Sequence, residues 1–200
     1  RMAIGAEPFT VLFMCRGLGA SAFLTLLAAA AAAGAFALSL PAWGRLIALA
    51  GGNFALGFGL AVMGISQALW FPIDAASGFG GAAAVVIHAL QRIAFAGISA
   101  CVAERYFSAL NGRSSPVITM LLRGTDAVIF ALTVCLVGVV IDLFPEGEAL
   151  AFGPLNLDVY RGVFASCGLL CLLMALVCFK FPSRRAGAAN IHGGFAFLPM

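Results

Sequence analysis

The chain has 200 residues, of which 63% are apolar and 10% charged, which excludes an ordinary soluble domain, where about a quarter of residues are charged. The net charge of +3 is spread over short polar stretches and not gathered on one face, which argues against a nucleic-acid surface. The expected fold class is all-α, a polytopic helical membrane protein with about five transmembrane helices in a bundle, with the lipid bilayer as its first partner.

Residues 1–17 contain an apolar patch, Phe9 to Cys15, too short to span. It reads as an outer segment, an interfacial piece, or the end of a preceding helix. The chain begins with Arg1, which leaves a longer precursor open. A five-helix membrane domain is expected over residues 18–185, with spans at about 18–40, 46–70, 80–103, 117–143 and 159–181. The first contains the Ala28–Ala33 run with Gly34, small side chains that let a neighbouring backbone approach closely. Pro41-Ala-Trp43-Gly44-Arg45 reads as a tight turn with an interfacial tryptophan and a cation. The second span holds Asn53, Ser66 and Gln67 among five glycines, a composition for close packing or bending.

The third span is the organising element. It contains His88 and Arg92, four residues apart and so on one helix face. Arg92 falls ~18 Å from Gly80, near the middle of a ~30 Å hydrocarbon core. A cation there costs at least ~2.5–3.5 kcal/mol unless it meets water, a partner or a ligand. The fourth span carries Arg123 and Asp126 early and Asp142 at its far end, and an acidic loop, Phe144–Asp158, leads to the last span. Residues 186–200 read as a mobile cytoplasmic tail. Alternate connections collect Arg45, Arg105, Arg113, Lys180, Arg184 and Arg185 on one side, and Asp74, Glu146, Glu148 and Asp158 on the other. The excess of lysine and arginine makes the first side cytoplasmic, with the N-terminus outside and the C-terminus inside.

Two readings of Arg92 compete: a binding group for an anion in a polar cavity, or a structural ion pair with Asp126. Asp126 has a local alternative in Arg123, three residues away on the same face. His88 is a proton relay, a haem or pigment ligand, or a buried histidine bonded to a neighbouring carbonyl; one intramembrane histidine cannot supply bis-His haem ligation. Asn53 and Gln67 are interhelical glue or ligand contacts. The six cysteines form no CxxC pair, and small-residue packing is their default. No nucleophile–base constellation and no metal or phosphate motif is present, so neither an enzyme nor a cofactor is expected.

The topology of residues 18–185 resembles the last five helices of a major facilitator superfamily transporter. Gly44-Arg45 is similar to the Gly-Arg of that family's cytoplasmic loop motif. Glu104 with Arg113 resembles its Glu…Arg pattern between the tenth and eleventh helices. Gly138-Val-Val-Ile-Asp142 followed by Tyr160-Arg-Gly-Val-Phe164 is similar to its usual exit from one helix and entry to the next. Pro41 and Ala42 depart from the motif, standing where an acidic residue and a cation belong. The resemblance implies the C-terminal portion of a secondary transporter moving a small solute, an anionic one included, by alternating access. Arg92, His88, Asp126, Asn53 and Gln67 would then contact substrate, and Gly44, Arg45, Glu104 and Arg113 would serve the loop and gate. A missing N-terminal half or a partner subunit would complete the cavity. The alternative is a small non-enzymatic membrane subunit that packs helices, lipid or pigment within a larger complex.

Overall fold

The structure, a computed structural model, describes residues 7–73, 80–109, 116–143, 150–152, 155–157 and 159–181. Among these, six helices follow one another: α1 (Glu7–Arg16), α2 (Ala22–Ala50), α3 (Gly52–Ala68), α4 (Gly80–Ala109), α5 (Pro116–Leu143) and α6 (Val159–Lys180). A short antiparallel hairpin, β1 (Leu150–Phe152) with β2 (Leu155–Leu157), precedes α6 and pairs Ala151 with Asn156. The protein is an all-α helical membrane protein. Among the described residues, three helices are long and apolar enough to cross a bilayer, over Ala22–Ala50, Gly80–Phe107 and Val159–Lys180. That is three among the described residues where five were expected; α3 has 17 residues, and in α5 the described apolar stretch is Ala127–Leu143.

The first connection differs from the expected one. Ser21 caps α2, its Oγ accepting from the Leu24 N–H at 3.2 Å, and the helix then runs unbroken through Pro41 to Ala50. No turn forms at 41–45. Membrane helices tolerate an internal proline when neighbouring helices brace the weakened turn, and Trp43 supplies that brace. Its side chain is 5% exposed and its indole Nε1–H donates to the Ile93 carbonyl of α4 at 2.8 Å. The tryptophan expected at the interface is therefore an interhelical anchor. The chain turns instead at Gly51, whose φ of 88° belongs to a region that glycine enters without steric cost.

Close approach explains how α2, α3, α4 and α6 assemble. A Cβ on Gly97 would lie 2.4 Å from Trp43 ring atoms, and one on Gly81 would lie 2.7 Å from Leu24, so α2 and α4 run parallel in contact at both ends. Helix α3 runs antiparallel to both of its partners. Its Gly52 faces Glu104 and its Gly59 faces Ala94 and Ile98 of α4, while Gly57 meets Cys178 and Phe179 and Gly64 meets Gly168 and Leu172 of α6. Ala55, Leu60, Met63, Ala94, Ile98, Cys101, Cys171 and Ala175 form the resulting core.

A second core closes the other end. Helix α3, ~25 Å long, is much shorter than α2 and α4 at ~43–45 Å, and α1 occupies the space beyond its end. Phe13 packs edge-on to Trp70 and Phe164 with centroids 5.7 and 5.6 Å apart, and Met14, Ala28, Ile73, Ala84, Ile87 and Cys167 complete the cluster. The patch at residues 9–15 is thus a helix packed on the bundle. Helix α5 packs mainly on α6 and leaves Met120, Leu121, Val128, Leu132 and Leu136 exposed. The tail at 186–200 and Arg113 lie outside the described residues.

Candidate functional site

The buried face of α4 is a regular stripe: Ala84, Ile87, Gln91, Ala94, Ile98 and Cys101. This 3–4 spacing aims one side of the helix at α3, and Gln91 is its one polar member. His88 lies one turn earlier, against the Gln91 amide. The antiparallel register that sets Gly59 against Ala94 and Ile98 carries Gln67 to the level of His88. Gln67 also packs against Gly168 of α6, where an added Cβ would lie 3.1 Å from Gln67 Cβ. Thr10 of α1 lies one turn before Phe13 and Met14 on the same buried face.

These side chains are closed off from solvent, at 0% exposure for Thr10, 1% for Gln67 and Gln91 and 3% for His88. Yet Thr10 Oγ1, Gln67 Oε1 and Trp70 Nε1 have no hydrogen bond among the described residues, while His88 and the Gln91 amide bond weakly to each other. Each such group costs ~1–3 kcal/mol when buried unmade, and lipid offers no water to relieve it. By contrast Ser66, equally buried, is satisfied by donating to the Met63 carbonyl at 2.7 Å. Every unmet polar group named here belongs to the half of the bundle that α1 covers.

Arg92 is half-buried, with its guanidinium carbon 6.0 Å from the Phe95 ring centroid. Phe95 in turn meets Phe36 of α2 at 6.0 Å. Arg92 therefore borders the cluster from the α2 side of α4. Asn53 stands elsewhere, ~21 Å along α3 from Gln67. There it accepts from Arg105 through Oδ1 and donates through Nδ2 to the Phe181 carbonyl at 2.5 Å, tying three helices at the end opposite α1. Glu104 is at that end too, its Oε2 against Gly52, beside the positive N-terminus of α3.

No family model, curated protein or solved structure matches the chain. The fold alone therefore sorts the expected residues. It sets Gln67 and His88 at one depth of the bundle, with Arg92 one turn further along α4, and leaves Asn53 and Glu104 at the far end. Gly44 and Arg45 sit on an exposed face of continuous α2 and form no loop. The side chains of Arg123 and Asp126 lie outside the described residues, as does any pair they make; α5 itself packs mainly on α6. Sequence reasoning overlooked Gln91, Thr10 and Trp70. The signal for Gln91 was available, since it lies at i+3 from His88 and on the apolar stripe itself.

The cysteines Cys101, Cys167 and Cys171 are buried, within the two cores. Among the described residues no three His, Cys, Asp or Glu side chains stand close enough to hold a metal ion. The chemistry on offer at the polar cluster is hydrogen bonding by amide, imidazole, indole and hydroxyl groups beside a cation.

Proposed function

We propose that the chain forms one helical bundle of a secondary membrane transporter for a small polar solute, of the major facilitator type that its sequence resembles, and that a second bundle completes the path. The supporting observation is the burial of the polar side chains His88 and Gln91 within α4, a helix long and apolar enough to span, with Gln67 buried on the shorter α3. His88 and Gln91 fall ~12 and ~16 Å from the start of α4, near the midplane where such transporters bind. Arg92 is at hand for a carboxylate or phosphate on the solute. The basic ends of α2, α4 and α6, with Arg45, Arg105 and Lys180, would face the cytoplasm. Solute counterflow into proteoliposomes tests the reading: Arg92→Ala and Gln67→Ala should each abolish flux of a transported solute while the protein stays folded. Flux unchanged in both variants refutes it.

The second reading is a non-catalytic subunit of a larger membrane complex. The feature that favours it is α5, whose exposed apolar face includes Gly124 and Gly138 with nothing within 4 Å of an added Cβ, a surface suited to a partner helix. Under that reading Arg92→Ala impairs assembly, and no solute is moved.

A further inference from the structure

The basic end of the bundle is built around Asn53. Its Oδ1 accepts from the Arg105 guanidinium of α4 and its Nδ2 donates to the Phe181 carbonyl at the end of α6. The last turns of both helices are thereby drawn to the first turn of α3. Arg105 and Lys180, which precedes Phe181, are both exposed. Arg45 stands exposed on α2, less than two turns before the chain enters α3. Glu104 is the one carboxylate at this end among the described residues, and its Oε2 lies against Gly52, at the positive N-terminus of α3. Three cations against one carboxylate leave an excess of positive charge on adjoining helix ends.

On the membrane side of this tie lies an open apolar surface. Phe54 of α3 and Phe179 of α6 pair with ring centroids 5.6 Å apart. Phe179 reaches along α3 to Gly57, where an added Cβ would lie 2.9 Å from its Cε1. Both rings remain open, at 45% and 41% exposure. Cations at the end of a bundle with open phenyl rings just inside them match the two parts of a charged lipid, a phosphate at headgroup level and a hydrocarbon chain below it. A soluble acidic partner would use the cations and leave the rings unaddressed.

We propose that Arg105 and Lys180, with the Phe54–Phe179 pair, form a binding site for an anionic phospholipid, its phosphate held by the cations of α4 and α6 and an acyl chain laid on the paired rings. Arg45 adds to the local field from α2. The planar fork of a guanidinium suits phosphate oxygens, and Asn53 fixes where that fork stands. A lipid seated there bridges α4 and α6 across the start of α3. The site is independent of which solute the bundle moves.

Quenching of an introduced tryptophan by brominated lipid tests it. The full chain carrying Phe179→Trp is placed in phosphatidylcholine nanodiscs that contain a minor fraction of brominated phosphatidylglycerol or brominated phosphatidylcholine. The native indoles, Trp43 and Trp70, are 5% and 0% exposed, and their quenching, measured in the unsubstituted chain, is subtracted. The glycerol lipid should associate at position 179 at least about fivefold more strongly than the choline lipid, the weight of one cation near an anionic surface. Leu173→Trp, 49% exposed further inside the membrane on α6, should show a ratio near one. Lys180→Gln, which leaves the Asn53 tie intact, should lower the ratio at 179, and adding Arg105→Gln should bring it to about one. A ratio near one at 179 with both cations present overturns the site and leaves the cations to a soluble acidic partner. An equal preference at 173 shows diffuse attraction and overturns the location. A preference that survives the double substitution overturns the headgroup assignment. Should that double variant fail to melt cooperatively, Lys180→Gln with Arg45→Gln takes its place, where the ratio should still fall severalfold and an unchanged ratio overturns the proposal.

Discussion

Substituting Gly97 with alanine tests how α2 is held. A Cβ there would sit 2.4 Å from Trp43 Cδ2 and Cε2 and 2.6 Å from Cε3, all in the rigid core of the indole. The ring has to move, and its bond to the Ile93 carbonyl, 2.8 Å long, goes with it. Overpacking costs ~1–3 kcal/mol and the lost hydrogen bond ~0.5–1.5 kcal/mol. The better helix propensity of alanine returns ~1 kcal/mol. The net is ~2 kcal/mol of destabilisation, about a thirtyfold shift in the folding equilibrium. Reversible unfolding in mixed micelles with increasing dodecyl sulfate measures it. A Trp70→Phe background leaves Trp43 as the sole indole, since the chain has two, so its emission reports the local environment. Gly34→Ala is the control: nothing lies within 4 Å of its added Cβ, and it should stabilise by ~1 kcal/mol. Should Gly97→Ala stabilise to the same degree with unchanged Trp43 emission, the α2–α4 anchor is refuted.

Three further substitutions address the other contacts. Gly64→Ala drives a Cβ to 2.8 Å from the Gly168 carbonyl and 2.7 Å from Leu172 Cγ; a backbone atom yields little, so the same unfolding assay should show a loss near ~3 kcal/mol. Gln91→Met keeps the volume and removes a weakly bonded buried amide, so it should raise stability by ~1 kcal/mol or more while reducing solute flux, the trade expected where function holds strain; lower stability would count against the polar site. Asn53→Ala releases both Arg105 and the Phe181 carbonyl. Amide exchange near the end of α6 should then rise severalfold at a cost of ~1 kcal/mol, and unchanged exchange would show that the tie carries no load.

Much of the fold was legible because long apolar runs leave few options in a membrane. The starts of α4 at Gly80 and of α6 at Val159 match the sequence reading, and α5 differs from it by one residue at its start. The alanine run behaves as expected, with Ala28 and Ala32 its buried members. The error at Pro41 has a physical cause. Proline, tryptophan, glycine and arginine in succession are strong local signals for a turn, but the decision rests on Gly97, fifty-four residues away, which opens the notch that holds Trp43. The burial of Thr10 was hidden for a similar reason, since threonine looks innocuous until the position of α1 encloses it, whereas Gln91 could have been read from its place on the α4 stripe. Conversely, His88 and Gln67 stood out in the sequence because each is costly in lipid wherever it points.

The unequal helix lengths have a consequence for the host membrane. A 29-residue α2 beside a 17-residue α3 cannot both match one hydrocarbon slab of ~30 Å. A thick bilayer suits α2 and strands the polar ends of α3 in lipid; a thin one suits α3 and forces α2 to lean or protrude. Lipid chain length then decides which of the two helices is strained, and the stability of the bundle should change as the nanodisc lipid is changed from eighteen-carbon to fourteen-carbon chains.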